Sequence, residues 1–246
     1  MTKPLVAGNW KMHGNTETAS NLATQLAAQW SDHLAVEMVI IPPFVHLGAV
    51  KAALAKSTIA VGAQNISQHE GGAYTGETSG EMLVDLGCDY VLVGHSERRE
   101  LFGECNATVA EKFKAAQKVG LTPILCVGES LHQRQQKQTL DVVNGQITAV
   151  IDCVGLHNVC RAVVAYEPVW AIGTGEVASP QQAQQVHSAI RTQLGNAGAD
   201  TRLLYGGSVK ANSAAELFAQ PDINGGLVGG ASLEAQEFLN IVKLAE

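Results

Sequence analysis

The stretch Ala162-Val163-Val164-Ala165-Tyr166-Glu167-Pro168-Val169-Trp170-Ala171-Ile172-Gly173-Thr174-Gly175 decides the fold. Residues 162–165 are apolar without alternation, the pattern of a strand buried on both faces and therefore paired in parallel. Pro168 stops the strand and leaves a single carboxylate, Glu167, at its C-terminal end. Val169 to Ile172 form an apolar flap that ends in glycines able to swing. A lone carboxylate beneath such a flap suits proton abstraction shielded from water. The alternative is an ordinary strand-to-helix loop with a solvated Glu, but four apolar residues in succession make a poor solvent-facing loop.

Seven more runs read the same way: residues 5–8, 36–41, 59–63, 90–93, 124–127, 203–205 and 226–228. Helical-period segments lie between them. Ala183, Val186, His187, Ile190 and Leu194 follow Ser179 as N-cap and Pro180 at the first helical position. Leu140, Val143, Ile147 and Val150 mark a second helix, while Thr78-x-x-Glu81 and Ser213-x-x-Glu216 read as capping boxes. Eight strand–helix units without a linker tract predict one domain over residues 1–246, an α/β eight-stranded parallel barrel with its chemistry at the C-terminal strand ends. An open doubly wound sheet is the runner-up. It is weaker because Asn9-Trp10-Lys11, not a dinucleotide glycine fingerprint, follows the first strand.

Bulk properties narrow the function. The 246 residues are 46% hydrophobic, enough for a sizeable core, and carry a net charge of −7 with scattered cations. That balance argues against nucleic-acid and acidic-membrane partners. Met1-Thr2-Lys3-Pro4-Leu5 shows no signal-peptide pattern, and the five cysteines share no Cys-x-x-Cys spacing. A cytoplasmic compartment with reduced thiols is expected. No His-Glu-x-x-His is present and the eight histidines are dispersed, so no metal site is expected.

The polar residues after the strands form a set. Asn9 and Lys11 follow the first, His95, Ser96 and Glu97 the fourth, and Glu167 the sixth. Gly206-Gly207-Ser208 and Gly229-Gly230 follow the seventh and eighth, where glycines before helix starts expose N–H groups to a phosphate. A helix N-terminus at Ser96 disfavours the imidazolium of His95, leaving a neutral ring that donates to a carbonyl. Lys11 is a cation facing substrate or a solvated surface lysine, and Glu97 either assists or only pairs with Lys11 or Arg98. Base, neutral donor, cation, phosphate cradle and lid suit proton movement beside a carbonyl of a small phosphorylated substrate, through an enediolate.

Six motifs carry a resemblance over the whole chain. They are Asn9-Trp10-Lys11-Met12-His13-Gly14, Gly94-His95-Ser96-Glu97-Arg98-Arg99, Cys126-Val127-Gly128-Glu129, the flap, Tyr205-Gly206-Gly207-Ser208-Val209, and Leu227-Val228-Gly229-Gly230-Ala231-Ser232-Leu233. In these the sequence resembles the triosephosphate isomerase family. The resemblance implies a (β/α)8 TIM barrel that interconverts glyceraldehyde 3-phosphate and dihydroxyacetone phosphate without a cofactor, in glycolysis and gluconeogenesis. It implies Glu167 as base and His95 as neutral electrophile, roles long established for this family. Asn9 and Lys11 would hold substrate oxygens, and Gly173, Ser208, Gly229 and Gly230 would bind phosphate. Pro168, Trp170 with Glu129, and Tyr205 with the far hinge near Ala178 would serve the lid. The loop from Gln64 to Glu77 would insert into a second copy of the chain, with Thr75 reaching the neighbour's site, against a plain surface loop. Glu176 stands in the far hinge where many relatives carry a cation, which bears on lid kinetics.

Two rival readings stand beside this. A Schiff-base aldolase needs a lysine projecting from a strand, and none of the eight runs contains one. A catalytically silent phosphate-binding scaffold would sit poorly with intact Asn9, Lys11, His95 and Glu167.

Overall fold

The computed structural model describes residues 2–31, 34–172 and 178–246. Among them, β1 (Leu5–Asn9), β2 (Glu37–Ile41), β3 (Ala60–Ala63), β4 (Tyr90–Val93), β5 (Thr122–Val127), β6 (Val163–Tyr166), β7 (Arg202–Tyr205) and β8 (Gly225–Val228) follow one another around a closed barrel. Every neighbouring pair is parallel, and β1 closes on β8 with Leu5 opposite Gly225 and Gly8 opposite Val228. All eight expected strands are present, with ends within two residues of the sequence reading.

Alternation within each strand divides the core in two. Leu5, Ala7, Val39, Ile41, Leu92, Ile124, Cys126, Val163, Ala165, Leu204 and Leu227 fill the barrel interior. Their neighbours Val6, Ile40, Val91, Val127, Val164 and Tyr166 pack outward with the surrounding helices. Full burial of each such Leu, Ile or Val contributes about 1.5–3 kcal/mol. At the N-terminal floor, Tyr90 donates to Glu37 at 2.6 Å, and Arg202 bonds both Glu37 (2.6 Å) and the Tyr90 hydroxyl (2.9 Å). This network caps the barrel opposite its strand C-termini.

The helices keep the sequence's period but shift some of its starts. Pro180–Leu194 begins on Ser179, whose hydroxyl accepts from the Gln182 N–H, and buries all five expected residues. In Thr139–Val154, Val143, Ile147 and Val150 are buried, whereas Leu140 lies in the first turn and is 39% exposed. The expected Thr78 cap is displaced to Ser79, because the Thr78 carbonyl accepts from the Ser67 N–H and closes the preceding loop. Helix Ala211–Phe218 starts before Ser213, which sits in its first turn and accepts from the Lys210 N–H instead of capping from outside. Among the described residues, no helix is long and apolar enough to cross a membrane.

Candidate active site

Strand alternation aims the polar residues. Val163 and Ala165 of β6 face the interior, so Glu167, two residues on, points into the barrel mouth. Leu5 and Ala7 of β1 do the same for Asn9. After β4 the chain needs a different turn: Gly94 has φ 72°, a region that favours glycine, and the turn delivers His95 as N-cap of helix Ser96–Leu101. Asn9, Lys11, His95, Glu167, Ser208, Gly229 and Gly230 line one cavity of about 360 Å³. That is within the range that holds a small ligand.

Glu167 is 2% exposed and is held on three sides. The Ser96 N–H donates to Oε2 at 2.9 Å, the Ser96 hydroxyl lies 3.4 Å from Oε1, and His95 Nε2 lies 3.0 Å from Oε1. Burial works to raise its pKa. The His95 ring, the Ser96 N–H and the Lys11 charge more than offset that and hold the carboxyl below the ordinary carboxylate range. The carboxyl is therefore ionised at neutral pH.

His95 is buried, and its Nδ1 accepts from the Glu97 N–H at 3.3 Å, leaving the proton of a neutral ring on Nε2. Burial lowers its pKa, but the facing Glu167 carboxylate overcomes this and raises it. That influence lasts only while the two groups touch. Apart from that contact, burial and the helix N-terminus both favour the neutral ring.

Lys11 has φ 50°, unusual for a residue with a side chain. Its N–H donates to Asn9 Oδ1 at 3.0 Å, and its carbonyl accepts from Gln64 Nε2 at 2.7 Å. Its ammonium meets Glu97 Oε1 at 2.5 Å. Of the two roles open to Glu97, ion pairing with Lys11 is the one observed.

After β8, Gly229 precedes the 3-10 turn Gly230–Leu233. The Ser208 hydroxyl donates to the Ala171 carbonyl at 2.8 Å, which ties the β7 loop to the flap. Gly206 and Gly207 have a packing reason as well: a Cβ on Gly207 would stand 2.2 Å from the Tyr205 hydroxyl. Gly173 and Glu176 lie outside the described residues.

Near the start of the flap, Glu129 is fully buried. Its Oε1 accepts from Trp170 Nε1 (3.0 Å), Arg134 (3.1 Å) and the Tyr166 hydroxyl (3.1 Å). Arg134 also stacks over the Trp170 ring at 4.3 Å. Pro168 opens the 3-10 turn Val169–Ala171, and Val169 donates to the Glu129 carbonyl at 3.2 Å. Tyr205 is buried, and burial pushes its hydroxyl up to about 12, with the Ala178 backbone opposing.

Thr75 is exposed and does not line this cavity. The sequence reading gave Ser96 no role beyond starting a helix and assigned none to Gln64, Arg134, His13 or Lys210. His13 and Lys210 also line the cavity. Only position beside Glu167 or Lys11, which the fold creates, distinguishes Ser96 and Gln64 from other polar loop residues.

The profile of the family described as Triosephosphate isomerase matches residues 4–245. The triosephosphate isomerase of Thiobacillus denitrificans is 56% identical over 249 residues, covering 100% of this chain and 99% of that protein. That of Alcanivorax borkumensis is 53% identical, covering 99% of this chain and 98% of its own. That of Nitrosococcus oceani is 51% identical, covering both chains completely. With its closed parallel barrel and the polar cluster at the strand C-termini, this chain belongs to the triosephosphate isomerase family.

Proposed function

We propose that Glu167 is the base of a triosephosphate isomerase in this chain, moving a proton between adjacent carbons of the triose. The activity is the interconversion of glyceraldehyde 3-phosphate and dihydroxyacetone phosphate, in glycolysis and gluconeogenesis. The single observation that carries the residue assignment is the buried, ionised Glu167 facing His95 Nε2 at 3.0 Å inside the cavity that Lys11 lines. His95 donates its Nε2 proton to the carbonyl oxygen as charge grows there. Asn9 and the Lys11 ammonium hold substrate oxygens, and Glu97 positions the ammonium. Gly229, Gly230, Gly173 and Ser208 receive the phosphate on N–H groups, while Pro168 and Trp170 with Glu129, and Tyr205, bound the lid. Closure excludes water, strengthens each of these interactions and protects the enediolate.

Residues 1–246 act as one catalytic domain, working without a cofactor in the cytoplasm. The active form is a homodimer. Met12, Val45, Tyr74, Met82, Leu101 and Phe102 are exposed apolar side chains in the segments after β1, β2, β3 and β4, which are neighbours in the barrel. Exposed apolar side chains on such neighbouring segments suit a covered surface. The loop that carries Thr75 is preshaped for insertion, with Tyr74 stacked on His69 at 3.8 Å.

Glu167→Asp tests the base. Withdrawing the carboxylate by one methylene, with placement otherwise intact, should cost on the order of 10²-fold in kcat. A loss under about threefold in a folded variant would overturn the assignment.

A further inference from the structure

Helix Thr139–Val154 presents Val143, Ile147 and Val150 to the core, and one polar side chain, Gln146, is buried in the same stripe. A buried amide is costly unless both of its ends are bonded. Both are bonded here, and to a single residue. Gln146 Oε1 accepts from the Gly128 N–H at 2.8 Å, and Gln146 Nε2 donates to the Gly128 carbonyl at 3.1 Å. This closed pair fixes the rotation of the Gly128 backbone.

Gly128 in turn touches the site. It follows the last residue of β5, and a Cβ on it would stand 1.8 Å from the Glu167 carbonyl oxygen. The Glu167 N–H is held by the neighbouring Val127 carbonyl at 2.7 Å. The next residue after Gly128 is Glu129, whose carboxylate holds Trp170. Gly128, Gln146, Glu167, Val169 and Trp170 all line a second cavity of about 920 Å³.

We propose that Gln146 is a positioning residue for catalysis: its two-point clamp on Gly128 sets the backbone against which Glu167 rests. The proposal rests on Glu167 being the base. Among the described residues Gln146 hydrogen-bonds only Gly128, so its contribution is expected in kcat and not in KM.

Gln146→Met removes the clamp while keeping bulk. Gln146→Glu tests it more sharply. A carboxylate accepts from the Gly128 N–H but repels its carbonyl, whereas a protonated carboxyl offers one donor and one acceptor, as the amide does. Burial beside a carbonyl raises that carboxyl's pKa above the ordinary value of about 4.3. Steady-state kcat and KM for glyceraldehyde 3-phosphate, measured against pH beside the unaltered protein, give the readout. The expected result is a kcat loss of about tenfold or more in Gln146→Met with KM unchanged, for a displacement well under 1 Å. Gln146→Glu should be equally impaired at neutral pH and should regain kcat relative to the unaltered protein as pH falls. A Gln146→Glu profile parallel to that of the unaltered protein would overturn the proposal, and so would full kcat in Gln146→Met. If Gln146→Met fails to fold, the acid rescue of Gln146→Glu decides alone. Glu167→Asp, run in parallel, separates the two claims: near-normal kcat there removes the base itself, whatever Gln146 does.

Discussion

Replacing Glu129 with glutamine removes the charge at the centre of the proposed near hinge. The carboxylate is fully buried, and its oxygens accept from Tyr166, Trp170 and Arg134, with the Thr139 hydroxyl at 3.4 Å. Burial raises the Tyr166 hydroxyl's pKa, so it remains a donor. Glutamine keeps Oε1, on which Trp170, Arg134 and Tyr166 converge, but as a neutral acceptor, and turns its NH2 toward the Tyr166 hydroxyl. Three charge-assisted hydrogen bonds become neutral ones, and Arg134 loses its buried counter-charge. A hydrogen bond to a charged group contributes about 1.5–3 kcal/mol and one to a neutral group about 0.5–1.5 kcal/mol, so a difference of about 1 kcal/mol on each of two or three bonds gives about 2–3 kcal/mol in total. For a chain of this size that corresponds to a fall in Tm of about 4–12 °C. Differential scanning calorimetry reads it directly. Trp170→Phe is the companion, since it removes one donor and keeps the ring beneath Arg134, and should cost less. A Glu129→Gln protein melting within about 1 °C of the parent would refute the reasoning, because it would mean that this cluster is solvated and not sealed.

Two further outcomes follow from charge and exposure. The Glu167 carboxyl is held below its ordinary pKa, so its contribution to stability is complete above about pH 4.3 and lost as pH falls through the lower folded value. The carboxyl-carbon NMR resonance should therefore titrate below that pH, and a midpoint above it would contradict the geometry. Sedimentation should find the protein dimeric, with Met82→Asp shifting it toward monomer because Met82 is 55% exposed on the proposed interface. A monomeric parent protein would contradict the dimer.

Much of this was legible in the sequence because period and strand-end position are local. The run at residues 162–165 gave a buried parallel strand, and counting by two from Val163 sends Glu167 into the mouth. His95 was recognisable as a residue opening a helix. Other features arise only when distant segments meet. Ser96 is an ordinary serine until β6 brings Glu167 to its N–H, 71 residues away. Gln146 breaks an apolar stripe without indicating what satisfies it until β5 arrives. Gly206-Gly207 reads as an anion turn, yet the space that Gly207 leaves is used by Tyr205. The caps slipped at Thr78 and Ser213 because several polar residues near each helix start compete for the same N–H groups, and tertiary contacts choose among them.

The most direct test of the central claim is to run the isomerisation in deuterated water and follow the carbon-bound hydrogens by NMR. A single carboxylate that removes and returns the proton exchanges it with solvent between the two events. The account predicts deuterium at the carbon next to the carbonyl in the product, appearing more slowly in Glu167→Asp in proportion to its reduced turnover. Product formed at full rate with no solvent label at that carbon would contradict it.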